Sequence, residues 1–234
     1  MKKLLKLSLL IVIILFSDCE KKITDLEFEK NVMTEIFPDL IESTCIDMRF
    51  FFEPPPIVGK IIYDNQGNYV RVDSTKGTNE QKQKLLDWKN HIKDIEKDTS
   101  KIIIAFDPLI KDNSRDLKED FKTHFKNSKI FLSKEKKETE YVFDFKNIKL
   151  NNKFRIKNIS LFPKDNKAIW KAKYDFIFGG VVSFSRIQFD KDKKFGILDG
   201  GFSCGRHCGQ GFRIYIKKVN NKWIIDEVEG TWVA

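Results

Sequence analysis

The sequence predicts an α+β fold in which N-terminal helices pack on a mainly antiparallel β-sheet. Apolar residues recur at helical spacing in the first part of the 234-residue chain, whereas short segments rich in β-branched and aromatic residues dominate the second part. The alternation is clearest at Phe212, Ile214 and Ile216, which are separated by polar or amphipathic residues, as in a strand with one buried face. We expect residues 25–234 to form a single α+β domain.

The first 18 residues have the parts of an export signal. Three lysines precede an apolar stretch over residues 7–16, which at about ten residues is too short to span a bilayer. Cys19 follows almost at once, as in a bacterial lipoprotein signal, although Asp18 stands where such signals normally have a small residue. We expect residues 1–18 to be a signal peptide and Cys19 to be lipidated, which would place the protein in the cell envelope, at the outer membrane or facing the periplasm. An uncleaved N-terminal anchor is the alternative.

A first helix is predicted after a short tether at residues 19–24. It starts near Asp25, and its apolar residues repeat every three or four positions, which gives a core-facing stripe that includes Ile36. Pro38 interrupts this stripe. Because proline removes a helical hydrogen bond, we expect a kink or two abutting helices there.

A hairpin and a second helix are predicted next. The turn-rich letters DNQGN separate two β-prone segments within residues 61–72. Thr78 and Gln81 have the spacing of a capping box, and apolar residues recur behind them at helical spacing. We expect Leu85 and Trp88 on this stripe to belong to the core.

The predicted order then changes from helices to strands. Residues 101–106 form a buried strand that contains the core residue Ile103, and a short helix runs from Ser114, its N-cap, to Phe125 with Phe121 in the core. The β-rich segments that follow are 129–133, 141–145, 153–162, 167–178, 181–190, 194–198, 211–219 and 222–228.

The last two of these segments are predicted to form a tight hairpin. Asn220 and Asn221 lie between them, and Asn is among the residues that such turns favour. Ile214 and Trp223 complete the predicted core. A cystatin-like arrangement is one form that this architecture can take.

The stretch GGFSCGRHCGQGF, residues 200–212, places two cysteines among five glycines. We predict a loop or bulge between strands, because glycine allows positive φ angles and close backbone approach. Cys204 and Cys208 fit a disulfide there, since an exported protein meets an oxidising environment. A metal site with His207 would lack further ligands, and a thioredoxin-type centre would need two intervening residues. A bridge from Cys45 to this stretch is the remaining alternative; otherwise Cys45 stays a buried thiol.

The C-terminal residues 185–234 carry the one family resemblance. The pattern CG-x-x-CG-x-G, a hairpin that leads into Lys-Trp and a final Trp resemble the C-terminal half of uncharacterised lipoproteins of low-GC Gram-negative bacteria. The letters FPDLIES and the proline run that follows are similar to the N-terminal part of that family. The resemblance implies an envelope location and an α+β fold. It implies no reaction, because the family has no assigned activity.

Composition and motifs favour binding over catalysis. The chain has a net charge of +9, but only seven of its 43 basic residues are Arg and the lysines are scattered among acids, so we expect no nucleic-acid partner. No nucleophile elbow, P-loop or dinucleotide fingerprint is present. We therefore assign no catalytic residue, metal or cofactor.

Two classes of function fit these features. The first is a non-enzymatic binding module, attached to the membrane through a lipid, that takes a protein or a small ligand. Its candidate binding residues are Arg206, His207 and Arg213. The second is a hydrolase-like or thiol enzyme whose site has no sequence signature. An immunity lipoprotein that protects the cell from a secreted toxin is a variant of the first class.

Overall fold

The computed structural model describes residues 23–50, 54–113, 115–126, 132, 140–150, 153–165 and 167–234. The helices in these ranges are α1 (Asp25–Thr44), α2 (Asn79–Lys97), α3 (Lys118–His124) and α4 (Ala168–Lys171). The strands are β1 (Lys60–Tyr63), β2 (Tyr69–Asp73), β3 (Ile102–Phe106), β4 (Leu109–Ile110), β5 (Tyr141–Val142), β6 (Phe154–Asn158), β7 (Ile177–Phe184), β8 (Gln188–Phe189), β9 (Phe195–Gly205), β10 (Cys208–Val219) and β11 (Lys222–Val233).

One mixed sheet organises the molecule. Its strand order is β11-β10-β9-β7-β3-β6, with β8 paired to β9. The pairs are antiparallel except that β3 runs parallel to both β6 and β7. The predicted α+β fold with a mainly antiparallel sheet is therefore confirmed. Two small antiparallel pairs, β1 with β2 and β4 with β5, lie outside this sheet.

The hairpin of β10 and β11 follows from its turn residues. Asn220 and Asn221 have φ angles of 49° and 63°, which is the left-handed conformation that a two-residue hairpin turn of the I′ type requires. Asparagine tolerates this conformation better than most residues. The tight turn predicted from the sequence is confirmed.

Helix α1 covers one face of the sheet. It starts at a capping box formed by Thr24 and Glu27, and it buries eight side chains, Ile36 and Phe37 among them. The chain runs through Pro38 as one helix, so the alternative of two abutting helices is wrong. Proline removes one hydrogen bond, whereas side chains are buried on both sides of it, and that burial outweighs the loss.

Helix α2 begins at the predicted capping box of Thr78 and Gln81. However, none of its side chains is buried, and the prediction that Leu85 and Trp88 belong to the core is wrong. The side chain of Gln81 donates to the Gly59 carbonyl and accepts from the Gly59 amide, both at 3.2 Å. Helix α2 therefore meets Gly59, just before β1, through Gln81, and its half-buried stripe lies outside the main core.

Two small apolar clusters lie apart from the α1 core. In the first, Leu117 and Phe121 pack with Ile197 and Tyr215 of β9 and β10. Helix α3, which contains Phe121, begins at Lys118 and has no side-chain cap. The predicted helix start at Ser114 is therefore wrong; Ser114 itself lies outside the described residues. The Lys118 amide instead donates a hydrogen bond to Asp116 Oδ1 at 3.1 Å.

The second cluster joins β3 to the segment that precedes β7. Ile103 and Ala105 pack with Phe162 and Ile169, and aromatic side chains from residues 170–178 surround them. The prediction of one strand over residues 167–178 is wrong, because four of these residues form α4 and only the last two belong to β7. Asp165 Oδ1 accepts from the amides of Lys167 and Ala168 at 2.7 and 2.8 Å, which favours a helix at this point.

Candidate binding site

The glycine-rich stretch is paired strand with a register shift between Cys208 and Gly209, so the predicted loop is wrong and the alternative of a bulge is confirmed. Residues up to Gly205 belong to β9, and residues from Cys208 belong to β10, so the turn itself consists of Arg206 and His207. The five glycines of the stretch all lack a positive φ. The backbone conformation at these five positions therefore does not require glycine.

Close approach explains several of these glycines. The indole of Trp232 from β11 lies beside Gly201, Gly209 and Gly211, and a Cβ on Gly211 would overlap the indole Nε1. The register of β10 and β11 is consistent with this contact, because Gly211 is the direct partner of Trp232. The glycines leave room on this face of the sheet for one large aromatic side chain from the next strand.

The two cysteines of the stretch close its turn. Cys204 and Cys208 lie at disulfide distance, with Cα atoms 5.1 Å apart. Cys45 is a free and buried cysteine, and burial raises the pKa of its thiol to about 12. That thiol therefore stays protonated at neutral pH and is a poor nucleophile for thiol–disulfide exchange. The disulfide fixes the turn that carries Arg206 and His207.

A cavity of about 690 Å³ lies beside this turn. Arg206 and His207 line it together with Ser203 and Gly205 of β9. The remaining walls come from β7 and from the segment before it; these residues are Ile159, Ser160, Pro163, Lys164, Lys167, Ile169, Trp170 and Val181. The cavity is thus apolar at its base and basic at its edge.

The basic groups at this cavity have no acidic partner in the part of the chain that the structure describes. Among the described residues no Asp or Glu lines it, and no ion pair joins Lys164, Lys167 or Arg206 to a carboxylate. Asp165, the nearest acid in sequence, accepts hydrogen bonds from the backbone at the start of α4. The cavity therefore has a local excess of positive charge that is open to an anionic group.

A second, more polar cavity of about 400 Å³ is lined by a neighbouring residue pair of β7 and β9. Val181 pairs with Ser203 in the first cavity, and the next pair on the same face, Ser183 with Gly201, lines the second. The second cavity contains Asp107, Asp112 and Asp199, besides Lys111. Acidic groups thus predominate at the second cavity, whereas basic groups predominate at the first.

Arg213 lies away from the first cavity. Its Nε contacts Asp199 Oδ1 at 3.0 Å, its Nη1 contacts Asp120, and the residue is only 8% exposed. Burial alone would lower the pKa of the guanidinium, but the hydrogen bonds and charges of these carboxylates outweigh burial and raise it. Arg213 therefore joins α3 to the sheet. Of the three predicted binding residues, the structure brings only Arg206 and His207 together.

The sequence patterns did not predict the residues of the opposite wall of the cavity. Lys164, Lys167 and Trp170 fall in or next to a segment predicted as strand, where alternation would have scattered them over two faces. The one local signal was Asp165 ahead of Ala168, which has the spacing of a helix cap. A short helix at that point would have placed lysine and tryptophan close to one another.

Some site types are not found in the described part of the chain. No group of three or more His, Cys, Asp or Glu side chains there could hold a metal ion. In the same ranges, none of the helices has the length and apolar character needed to cross a membrane. Cys19 lies outside the described residues.

Comparison with known proteins adds no relative. No protein family, no curated protein and no solved structure matches the chain. The similarity of residues 185–234 to bacterial lipoproteins therefore stays a prediction from sequence motifs. The geometry of the cavity is therefore the basis for a functional proposal.

Proposed function

We propose that this protein is a non-enzymatic binding module, attached to the cell envelope through a lipidated Cys19, which holds a small ligand in the cavity beside the Arg206-His207 turn. The observation that carries the proposal is the cavity itself, with an apolar base and, at its edge, basic groups that form no ion pair within the described ranges. Its volume of about 690 Å³ is within the range of small-molecule sites.

The contacts in the cavity support binding over nucleophilic catalysis. An activated serine needs a base within hydrogen-bonding reach, and that base is commonly a histidine. Within the described residues no hydrogen bond joins His207 to Ser160 or Ser203. Lysine and arginine supply charge but no recognisable nucleophile–base pair.

Envelope attachment rests on the sequence of the first 19 residues. A basic start, a short apolar stretch and a cysteine support lipidation. Metabolic labelling with a fatty-acid analogue should tag the wild-type chain and should not tag Cys19→Ala. Equal labelling of both would contradict attachment at Cys19.

Ligand binding is tested by filling the cavity. We expect Ser203→Trp to abolish binding, because the larger side chain would occupy the cavity that Ser203 lines together with its strand partner Val181. Protein isolated from its own envelope would be examined by native mass spectrometry for a bound small molecule. Thr231→Trp is the matched control, since Thr231 is exposed on β11 and lines neither cavity.

The wild type and Thr231→Trp should carry the same added mass, and Ser203→Trp should lack it while keeping the circular dichroism spectrum of the wild type. A wild-type protein without bound mass, or an added mass that persists in a folded Ser203→Trp variant, would contradict the proposed site.

A further inference from the structure

We infer that the first cavity selects an amphiphilic anion, a soluble molecule with one compact apolar body and one anionic head group. This inference rests on the proposed binding function and adds the chemical class of the ligand. It follows from the two kinds of surface that meet in one cavity, and from the absence of acidic side chains among the described residues that line it.

The base of the cavity fits an apolar body. Trp170 is half-buried and packs on Phe178 with ring centroids 5.4 Å apart, which holds the indole in place. Ile159 and Val181 flank it and belong to the same apolar cluster. A ligand that covers these partly exposed side chains would remove apolar surface from water, which is the main source of affinity in such sites.

The edge of the cavity fits an anionic head. Arg206 comes from the β9–β10 turn, and Lys164 and Lys167 come from the segment before α4, so the cations reach one cavity from two separate elements. All three are exposed and unpaired in the described structure. His207 adds a hydrogen-bonding ring beside them.

The size of the cavity limits the ligand. About 690 Å³ suits one drug-sized molecule, whereas the two acyl chains of a bilayer lipid would need more room. The disulfide between Cys204 and Cys208 holds the turn that carries Arg206, so little freedom of that backbone is lost when a head group binds. These features favour a small soluble amphiphile over a membrane lipid.

The test compares two probes that share an apolar body, 2-naphthoate and neutral 2-naphthamide. Their affinities would be measured by isothermal titration calorimetry on the envelope-isolated chain in phosphatidylcholine nanodiscs, with empty nanodiscs as the blank. Each exposed ion pair is weak by itself, but three cations of the cavity act on one head group. We therefore expect the carboxylate to bind about tenfold tighter than the amide.

The double variant Lys167→Gln with Arg206→Gln should weaken binding of the carboxylate and bring the two affinities to within about twofold. Lys218→Gln with Lys222→Gln is the control. It removes the same charge at the far end of the β10–β11 hairpin and should keep the preference for the carboxylate.

Two outcomes would overturn the inference. Equal affinities of the wild type for the two probes, or a carboxylate preference that survives in the cavity variant, would show that the head group is not recognised, while the cavity could still be a binding site. Failure of both probes to bind, together with no bound mass in the native protein, would overturn the proposed function as well.

Discussion

Two helices of nearly equal length differ completely in what they bury. Helix α1 has 20 residues and buries eight of them, whereas α2 has 19 residues and buries none. Both begin with a Thr capping box, and both carry apolar residues at helical spacing. The comparison shows that local sequence signals establish a helix, but the surface it meets decides whether the helix supports the fold.

The difference can be traced to the partners of each helix. The apolar stripe of α1 lies on the sheet, where Phe37 is within 6.4 Å of four other phenylalanine rings, and a buried Glu29 contacts Arg186 of the segment after β7. Helix α2 meets residues 48–50 and, through Gln81, Gly59. We expect α2 to open locally at a lower free energy than α1.

The largest expected effect separates the two helices directly. Phe37→Ala should lower the free energy of unfolding by roughly 3–5 kcal/mol, because it removes a fully buried ring and leaves a cavity. Leu86→Ala on the exposed side of α2 should change it by less than about 0.5 kcal/mol. Urea denaturation followed by circular dichroism measures both. Similar losses for the two variants would contradict the comparison.

A second variant tests the charged contact of α1. The carboxylate of Glu29 accepts from Arg186 Nη2 at 2.6 Å and from the Ile187 amide at 2.9 Å, and both charged side chains are buried. Glu29→Gln should lower the free energy of unfolding by about 3 kcal/mol, because it leaves the Arg186 charge with less compensation.

The combined variant Glu29→Met with Arg186→Met should recover much of this loss, since it removes both buried charges. Glu80→Gln on α2 is the counterpart, because the Glu80–Lys84 pair is exposed, and we expect no measurable change. A double-mutant cycle in urea, made of Glu29→Met, Arg186→Met and the combined variant, gives the coupling between Glu29 and Arg186. A coupling near zero would show that the pair does not fix α1 on the sheet.

A third prediction concerns the junction between the helices. Arg49 contacts Asp47 at 3.0 Å and Asp98, the C-cap residue of α2, at 2.7 Å. Burial alone would raise the pKa of Asp47, but hydrogen bonds from Arg49 and Lys153 outweigh burial and lower it. Arg49→Gln should therefore lower the free energy of unfolding by roughly 1–3 kcal/mol.

The pH dependence of this junction has a definite sign. Because the pKa of Asp47 is lower in the folded state, its contribution is complete above the unfolded value of about 3.9 and is lost as the pH falls through the folded pKa. Unfolding measured between pH 7 and pH 3 should therefore show a smaller acid-induced loss in Arg49→Gln than in the wild type. Identical pH profiles would contradict a role of Arg49 in lowering that pKa.

The smallest expected effect compares the two caps. Thr24→Ala and Thr78→Ala each remove one N-cap interaction, worth about 1 kcal/mol. The first should lower the global free energy of unfolding by that amount. The second should leave it nearly unchanged and speed hydrogen exchange of α2 amides about fivefold, because α2 opens locally. A global loss of equal size in Thr78→Ala would mean that α2 unfolds together with the sheet.

Features set by neighbours in sequence were predictable. The capping box at Thr78, the turn at Asn220-Asn221, and the Cys204 and Cys208 pair all depend on residues at most four positions apart. The start of α1 near Asp25 was predictable for the same reason. Such features need no knowledge of the rest of the fold.

Features set by distant residues were not predictable. Nothing near Gly211 indicates that Trp232 will lie over it, and the contact of Glu29 with Arg186 joins residues 157 positions apart. The stripe on α2 was visible, but periodicity does not say which surface will cover it. The same holds for the cavity. Arg206 and His207 could be predicted as site residues because they lie on a local hairpin, whereas the wall that faces them depends on the path of residues 159–170.

Strand β11 has a consequence for the behaviour of the protein at high concentration. It is one of the two edge strands of the main sheet in the described chain, and such a strand can recruit a second copy through its free backbone groups. The exposed Glu227 and Glu229 place negative charge along it, and two register shifts interrupt its pairing with β10. Two copies that approached edge to edge would bring like charges together on irregular strands, so this edge resists self-association into extended sheets.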